Sequence, residues 1–130
     1  MAADTRKRVL VIDDASLVRL YYRAALEGAG FFVDEALNGI EALEHLLVAP
    51  YDLLVVDVNM PQMDGLTFLK ALRGKSLPMA AIPALVASSE ADPLRVAAAR
   101  AAGANFYLVK PLSQEMLVQY ALLLCGAAHG

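Results

Sequence analysis

Three short apolar runs in this chain end on side chains able to handle a phosphoryl group or a hard cation. Val9–Ile12 runs into Asp13-Asp14, Leu53–Val56 into Asp57, and Phe106–Val109 into Lys110-Pro111. A fourth run, Leu85–Ala87, ends on Ser88. Apolar runs separated by helical stretches fit a parallel sheet with helical crossovers, in which every strand's carboxyl end lies on one edge. Three carboxylates, one ammonium and one hydroxyl then converge on a single crevice. Carboxylates that close repel unless a cation sits among them, so this edge reads as a divalent-metal and phosphoryl site.

Magnesium takes oxygen ligands in an octahedron, commonly one or two carboxylates completed by waters and phosphate oxygens. Asp14 and Asp57 fit as direct ligands, Asp13 as a ligand through water, and the main-chain carbonyl of Asn59 as a further oxygen. A carboxylate can also be a nucleophile that forms an aspartyl phosphate. Asp57 is the candidate, because it ends the most apolar and hence central strand. Lys110 would neutralise charge developing on the phosphoryl oxygens, and the Ser88 hydroxyl would donate a hydrogen bond to one of them. A single Asp at a strand end often just starts a loop or caps a helix. All of these residues at the strand ends of one repeating pattern is a far more specific signal.

The elements that carry them can be followed along the chain. The first strand is expected over about Arg8–Asp13, and a helix over Ser16–Gly28 with Val18, Tyr22, Ala25 and Ala29 on one face. Phe31–Ala36 is a second strand, and its Asp34 and Glu35 mark it as a sheet edge. Asn38 caps the next helix, with Glu41 as a capping-box variant and Ile40, Leu43 and Leu47 at helical spacing. Tyr51–Asp57 is the third strand. Met60-Pro61-Gln62-Met63-Asp64-Gly65 forms a turn, and Asp64 caps a helix to about Arg73. Gly74–Ala81 is a loop, and the fourth strand spans about Ile82–Ala87, with Pro83 tolerated near its start. Asp92-Pro93 opens a helix that Gly103 ends. Asn105–Val109 is the fifth strand. Ser113 opens the last helix, with Met116, Tyr120 and Leu123 as one stripe and Leu117 and Leu124 beside it. Right-handed crossovers turn this (βα)5 pattern into a three-layer, flavodoxin-like, doubly wound α/β sandwich. A strand order of 2-1-3-4-5 puts the switch point between the first and third strands, where Asp13, Asp14 and Asp57 lie.

The chain's 130 residues suit one domain with its own core, residues 1–7 forming a short polar leader. A hydrophobic content of 58% and a mean hydropathy of +0.51 fit strands covered on both faces. No apolar stretch is long enough to span a membrane. The polar, basic start lacks a signal-peptide core, so a cytoplasmic protein is expected. A formal net charge of −3 and a pI near 5.2 argue against general nucleic-acid affinity, and Arg6-Lys7-Arg8 reads as solvated leader. Cys125 is the sole cysteine, which excludes a disulfide framework or a cysteine metal cluster; a buried or half-buried thiol is expected. His45 and His129 read as surface residues.

Together, Asp13-Asp14, Asp57, Met60-Pro61 through Asp64-Gly65, Ser88 and Lys110-Pro111 resemble the receiver domain of two-component response regulators. The resemblance spans nearly the whole chain and is closest to the stand-alone chemotaxis type. It implies a phosphorylation switch that catalyses only its own phosphorylation and dephosphorylation. Asp57 would accept a phosphoryl group from the phosphohistidine of a histidine kinase or phosphotransfer protein, with Mg²⁺ required. Ser88 and Tyr107 would form a switch pair, the hydroxyl moving toward the phosphoryl group and the aromatic ring turning inward. The surface of the fourth helix, fifth strand and fifth helix would then change its affinity for a downstream protein, through differential contacts in two states. From spacing alone Tyr107 would be only a half-buried strand aromatic.

The same resemblance implies a cis Lys110–Pro111 bond and gives Asn59 and Glu90 influence over dephosphorylation rate. Their combination resembles that of fast-resetting chemotaxis regulators. A monomer or a phosphorylation-dependent homodimer is compatible with it. Two positions depart from the usual pattern: serine stands at 88 where threonine is commoner, and Ser89 is bulkier than the usual alanine or glycine, narrowing access. On the alanine-rich helix (Ala97, Ala98, Ala99, Ala101, Ala102), Arg95 and Arg100 read as solvated.

Other readings share part of this pattern. A receiver cut from a larger regulator or hybrid kinase would carry every residue named above. A Mg²⁺-dependent phosphatase with an aspartyl nucleophile generally uses a second acid two residues on, where this chain has Asn59, which is no general acid. A flavodoxin-like cofactor binder would want amides and hydroxyls at its phosphate, whereas Asp13-Asp14-Ala15-Ser16 is acidic.

Overall fold

The computed structural model describes residues 5–126. Five strands alternate with five helices: β1 (Arg8–Ile12), α1 (Ser16–Gly28), β2 (Phe32–Ala36), α2 (Gly39–Val48) and β3 (Leu53–Asp57) come first. They are followed by α3 (Gly65–Arg73), β4 (Ala84–Ser88), α4 (Pro93–Ala102), β5 (Phe106–Val109) and α5 (Gln114–Cys125), with a 3-10 turn at Met79–Ala81. All strand pairs are parallel, in the order β2-β1-β3-β4-β5. The fold is the doubly wound α/β sandwich expected. The third and fourth strands begin two residues later than hydropathy suggests, because Tyr51 and Ile82 are buried apolar residues that precede the ladder.

Alternation along the strands builds two cores. Leu10, Ile12, Leu54, Val56 and Val86 face α2, α3 and α4, where they meet Leu46, Phe68, Leu72 and Ala99. Val9, Val11, Val55, Leu85 and Leu108 face the other way, onto Tyr22 and Leu26 of α1 and Leu117 and Ala121 of α5. Every residue of β3 and β4 is buried, as continuous apolar runs require in a sheet covered on both sides.

The expected caps form. Asn38, Asp64, Asp92 and Ser113 each accept the main-chain N–H three residues on. Glu41 completes its box one residue further out, its carboxylate accepting the N–H of Leu37 at 3.0 Å.

Two helices bury only part of the face expected: Leu43 of α2 packs against the core, as do Leu117, Tyr120 and Leu124 of α5. On α2 the buried residues are Gly39, Ala42 and Leu46, while Ile40 and Leu47 point outward. Gly39 lies so close to Met63 and Phe68 that a Cβ there would come within 2.9 Å of both. The helix lies down on its small residues, which bulk-weighted hydropathy underrates. On α5, Leu117 and Ala121 are buried, whereas Met116 is 41% and Leu123 69% exposed.

The basic run near the start is also less solvated than expected. The Arg8 guanidinium stacks over the rings of Phe32 and Tyr51 and pairs with Asp34 at 3.1 Å, and Arg6 lies over Phe32. Flat guanidinium groups favour aromatic faces. His45 is half-buried, its Nδ1 3.5 Å from the Tyr51 hydroxyl. His129 and residues 1–4 of the leader lie outside the described residues. Cys125 is half-buried, and burial pushes its thiol up to about 11.

Candidate functional site

The parallel register brings the chemistry to one level. Ile12 pairs with Val56, Asp57 with Ala87, and Ser88 with Val109. Asp13, Asp57, Ser88 and Lys110 therefore emerge together at the carboxyl edge of the sheet. Asp13, Asp57 and Ser88 are buried, at 1%, 6% and 2% exposure, whereas Asp14 is open to solvent.

Lys110 ties the cluster together. Its Nζ donates to Asp13 Oδ2 at 3.0 Å and to Asp57 Oδ1 at 3.1 Å. The Lys110–Pro111 bond is cis. Oxygens of Asp13, Asp14 and Asp57 all lie within 4.8 Å of one another. One ammonium among three carboxylates leaves two negative charges uncompensated. Burial first, and then the charge of Asp13, raise the Asp57 pKa above its usual value; Lys110 and an Asn59 main-chain N–H pull the other way without prevailing. Burial also works against the Lys110 ammonium, but its hydrogen bonds and charge contacts with both aspartates win and hold its pKa above the ordinary lysine value. Dense, oxygen-only and electron-rich, this donor set fits a hard divalent cation such as Mg²⁺.

The loop after β3 is built around close approach. A Cβ on Gly65 would overlap the main-chain oxygen of Asp57, and the Gly65 N–H donates to Val58 O at 3.0 Å. Glycine at the start of α3 thus lets the helix begin directly against the end of β3. Within this loop Gln62 adopts a left-handed φ of 67°, and its side chain accepts a hydrogen bond from Asn38. Asn59 is exposed.

Ser88 and Tyr107 both grip Glu90. Ser88 Oγ accepts the Glu90 N–H at 3.1 Å, and the Tyr107 hydroxyl donates to the Glu90 carbonyl. Tyr107 is half-buried, with its ring already directed toward this loop. The Glu90 carboxylate pairs with Arg95 Nε at 2.8 Å, and the Arg95 side chain is exposed, as expected.

Two neighbours of the crevice escaped the sequence reading of the site. Tyr22 was assigned only to a core face; it is buried, and its hydroxyl feels Lys110, Asp13 and Asp57. Burial pushes its pKa to about 12. Arg19 reaches from α1 to the Asp13 main chain. Its helical spacing from the acidic pair is readable in retrospect, but its direction is not.

Comparison with known proteins agrees with this geometry. The profile of the response regulator receiver domain matches residues 9–122. The two-component response regulator ORR41 of Oryza sativa subsp. japonica is 40% identical over 114 residues, which make up 85% of this chain and 87% of that protein. The sensor protein EvgS of Escherichia coli strain K12 is 35% identical over 123 residues, or 93% of this chain but 10% of that much longer protein. The structure of the chemotaxis response regulator CheY4 of Vibrio cholerae superposes with a TM-score of 0.85 at 34% identity, covering 92% of this chain and 99% of that one. No helix among the described residues is long and apolar enough to cross a membrane. By profile, fold and motif residues alike, this chain belongs to the response regulator receiver domain family of two-component signalling.

Proposed function

We propose that Asp57 is the phosphoacceptor of a signalling switch, loaded from the phosphohistidine of a histidine kinase or phosphotransfer protein. The observation that carries this reading is the Lys110 Nζ bridging Asp13 and Asp57, with Asp14 the third convergent carboxylate. Asp14 and Asp57 would hold Mg²⁺ directly, with Asp13 acting through water and the Asn59 carbonyl adding an oxygen. The ion supplies positive charge to the phosphoryl oxygens. An Asp57 carboxylate oxygen attacks phosphorus, the P–N bond of the donor breaks, and its electron pair returns to the imidazole. Lys110 is placed to follow the negative charge from carboxylate to phosphoryl oxygen.

A phosphoryl group on Asp57 would compete for the Ser88 hydroxyl, which now accepts from Glu90. With the Ser88 side chain turned to donate to the phosphoryl group, the Glu90 N–H is released while the Glu90 carbonyl keeps its bond from Tyr107, and the loop into α4 resets. The exposed apolar residues Leu94, Phe106, Val109, Met116 and Leu123 on α4, β5 and α5 supply a face whose partner affinity such a change alters. On the other side of the crevice, Leu17, Leu20 and Tyr21 of α1 are exposed, and Leu17 and Tyr21 line a cavity of about 250 Å³ with Lys110 and Pro111. This apolar rim suits docking of the phosphodonor protein. Asn59 and Glu90 orient the water that resets the switch, giving a short-lived phosphoryl state. The domain acts in the cytoplasm as a single receiver, monomeric or dimerising when phosphorylated.

The match to a short part of a sensor protein favours a second reading, a receiver belonging to a larger regulator or hybrid kinase; the chemistry is the same. The test is incubation with Mg²⁺ and a small phosphodonor, comparing wild type with Asp57→Asn by intact mass. Gain of one phosphoryl group in wild type alone supports the proposal, and an equal gain in both moves the acceptor elsewhere.

A further inference from the structure

α1 carries a cation one turn inside its start that points back at the acidic loop. Arg19 Nη1 donates to the main-chain carbonyl of Asp13 at 2.7 Å, and its Nε donates to Glu35 Oε1 on β2 at 2.8 Å. The Arg19 side chain is only 12% exposed. Glu35 is itself held from the far side by Arg23 Nη1 at 2.8 Å. The rest of Asp13 is equally constrained: its N–H donates to Ala36 O at 3.1 Å, and its Oδ1 accepts from the Ala15 N–H at 2.9 Å.

The Asp13 carbonyl belongs to the peptide that joins Asp13 to Asp14. Whatever fixes that peptide plane fixes where both carboxylates start. We infer that Arg19 is a positioning residue for the acidic cluster: through the Asp13 carbonyl it presets the Asp13 and Asp14 carboxylates for a divalent cation. Glu35 is the anchor that aims it. The inference rests on the metal reading above and adds a residue that touches neither metal nor phosphoryl group. A guanidinium-to-carbonyl hydrogen bond is charge-assisted and directional, and the fork geometry of arginine lets one side chain serve β2 and the β1–α1 loop together. Groups that orient metal ligands typically govern affinity by 10–100-fold.

A plain structural role makes a different prediction. If Arg19 only staples α1 to β2, its loss lowers stability but leaves the folded protein's metal affinity unchanged. Calorimetric titration with Mg²⁺ at 25 °C, with urea unfolding in parallel, separates the two on wild type, Arg19→Met, Arg19→Lys and Glu35→Gln. The expected result is a loss of about tenfold or more for Arg19→Met, with the far-ultraviolet spectrum intact. Arg19→Lys, which keeps a charge but not the fork, should lose less, and Glu35→Gln, which keeps shape but weakens the anchor, should lose least. Variants that are less stable yet bind Mg²⁺ as wild type does overturn the inference while leaving the proposed function standing. A wild type that takes up no Mg²⁺ overturns both. Should Arg19→Met fail to fold, the ranking of the two milder variants decides.

Discussion

Replacing Lys110 by methionine keeps most of the side-chain stem and removes the ammonium that spans two buried aspartates. At contacts of 3.0 and 3.1 Å, each pairing has a gross Coulomb energy of about 5 kcal/mol at an effective dielectric constant of roughly 20. Much of that is offset by taking three charges out of water. Removing one partner from a buried pair costs about 3–5 kcal/mol net, and Lys110 retains 23% exposure, so water takes up part of the loss. The expected deficit in urea-unfolding free energy is therefore about 2–3 kcal/mol in EDTA at neutral pH. Saturating Mg²⁺ should recover much of it, since an ion at a hundredfold excess over its Kd stabilises by about 2.7 kcal/mol.

The sign of the pH dependence follows from Asp57. Its folded-state pKa is raised above 3.8, so its contribution favours folding below that value and is lost as pH rises through the folded pKa. Without Lys110 the opposing pull disappears and the loss deepens. The gap between variant and wild type must then close on acidification toward the ordinary carboxylate range, as Asp57 takes up a proton. A deficit below about 0.5 kcal/mol in EDTA, the scale of an ordinary surface change, would refute the reasoning; so would a gap of constant size from neutral pH to that range.

Asp57→Asn should raise stability in EDTA by on the order of 1 kcal/mol, because it removes a carboxylate that burial and Asp13 disfavour, and Mg²⁺ should then stabilise the variant less than wild type in thermal melts. Gly65→Ala should cost about 1–3 kcal/mol through overpacking, since its methyl group would overlap the Asp57 carbonyl oxygen, and it should slow phosphorylation measured by intact mass. Glu35 has a lowered pKa, chiefly through the Arg23 hydrogen bond, so it stabilises above its ordinary value of 4.5 and that contribution fades as pH falls through the folded value. Glu35→Gln should be about 0.5–1 kcal/mol less stable at neutral pH, and urea midpoints should converge with wild type in acid.

The elements that place the site were legible because their signals are local. Continuous apolar runs ending in Asp13, Asp57, Ser88 and Lys110 reported both the buried sheet and the edge at which these side chains gather. Asn38, Asp64, Asp92 and Ser113 announced helix starts through short-range cap chemistry. What stayed hidden depends on partners far along the chain. Arg8 finds Asp34, Phe32 and Tyr51, and Arg73 caps the main-chain oxygens of Ala80, Ile82 and Gly103, which no periodicity encodes. The α2 and α5 faces were read only in part for another reason: glycine and alanine carry little hydropathic weight, yet they permit the closest approach to the sheet.

Those small inward residues have a consequence for how such a domain can diversify. With Gly39, Ala42, Ala99, Ala102 and Ala121 seated against the sheet or its neighbouring helices, the bulky Leu47, Val48, Leu94 and Leu123 are left on the outside. Interior fit and outward stickiness then reside in different side chains of the same helix. Selection can redraw the exterior of α2, α4 or α5 to suit a new listener without reopening the interior that keeps four strand ends in line.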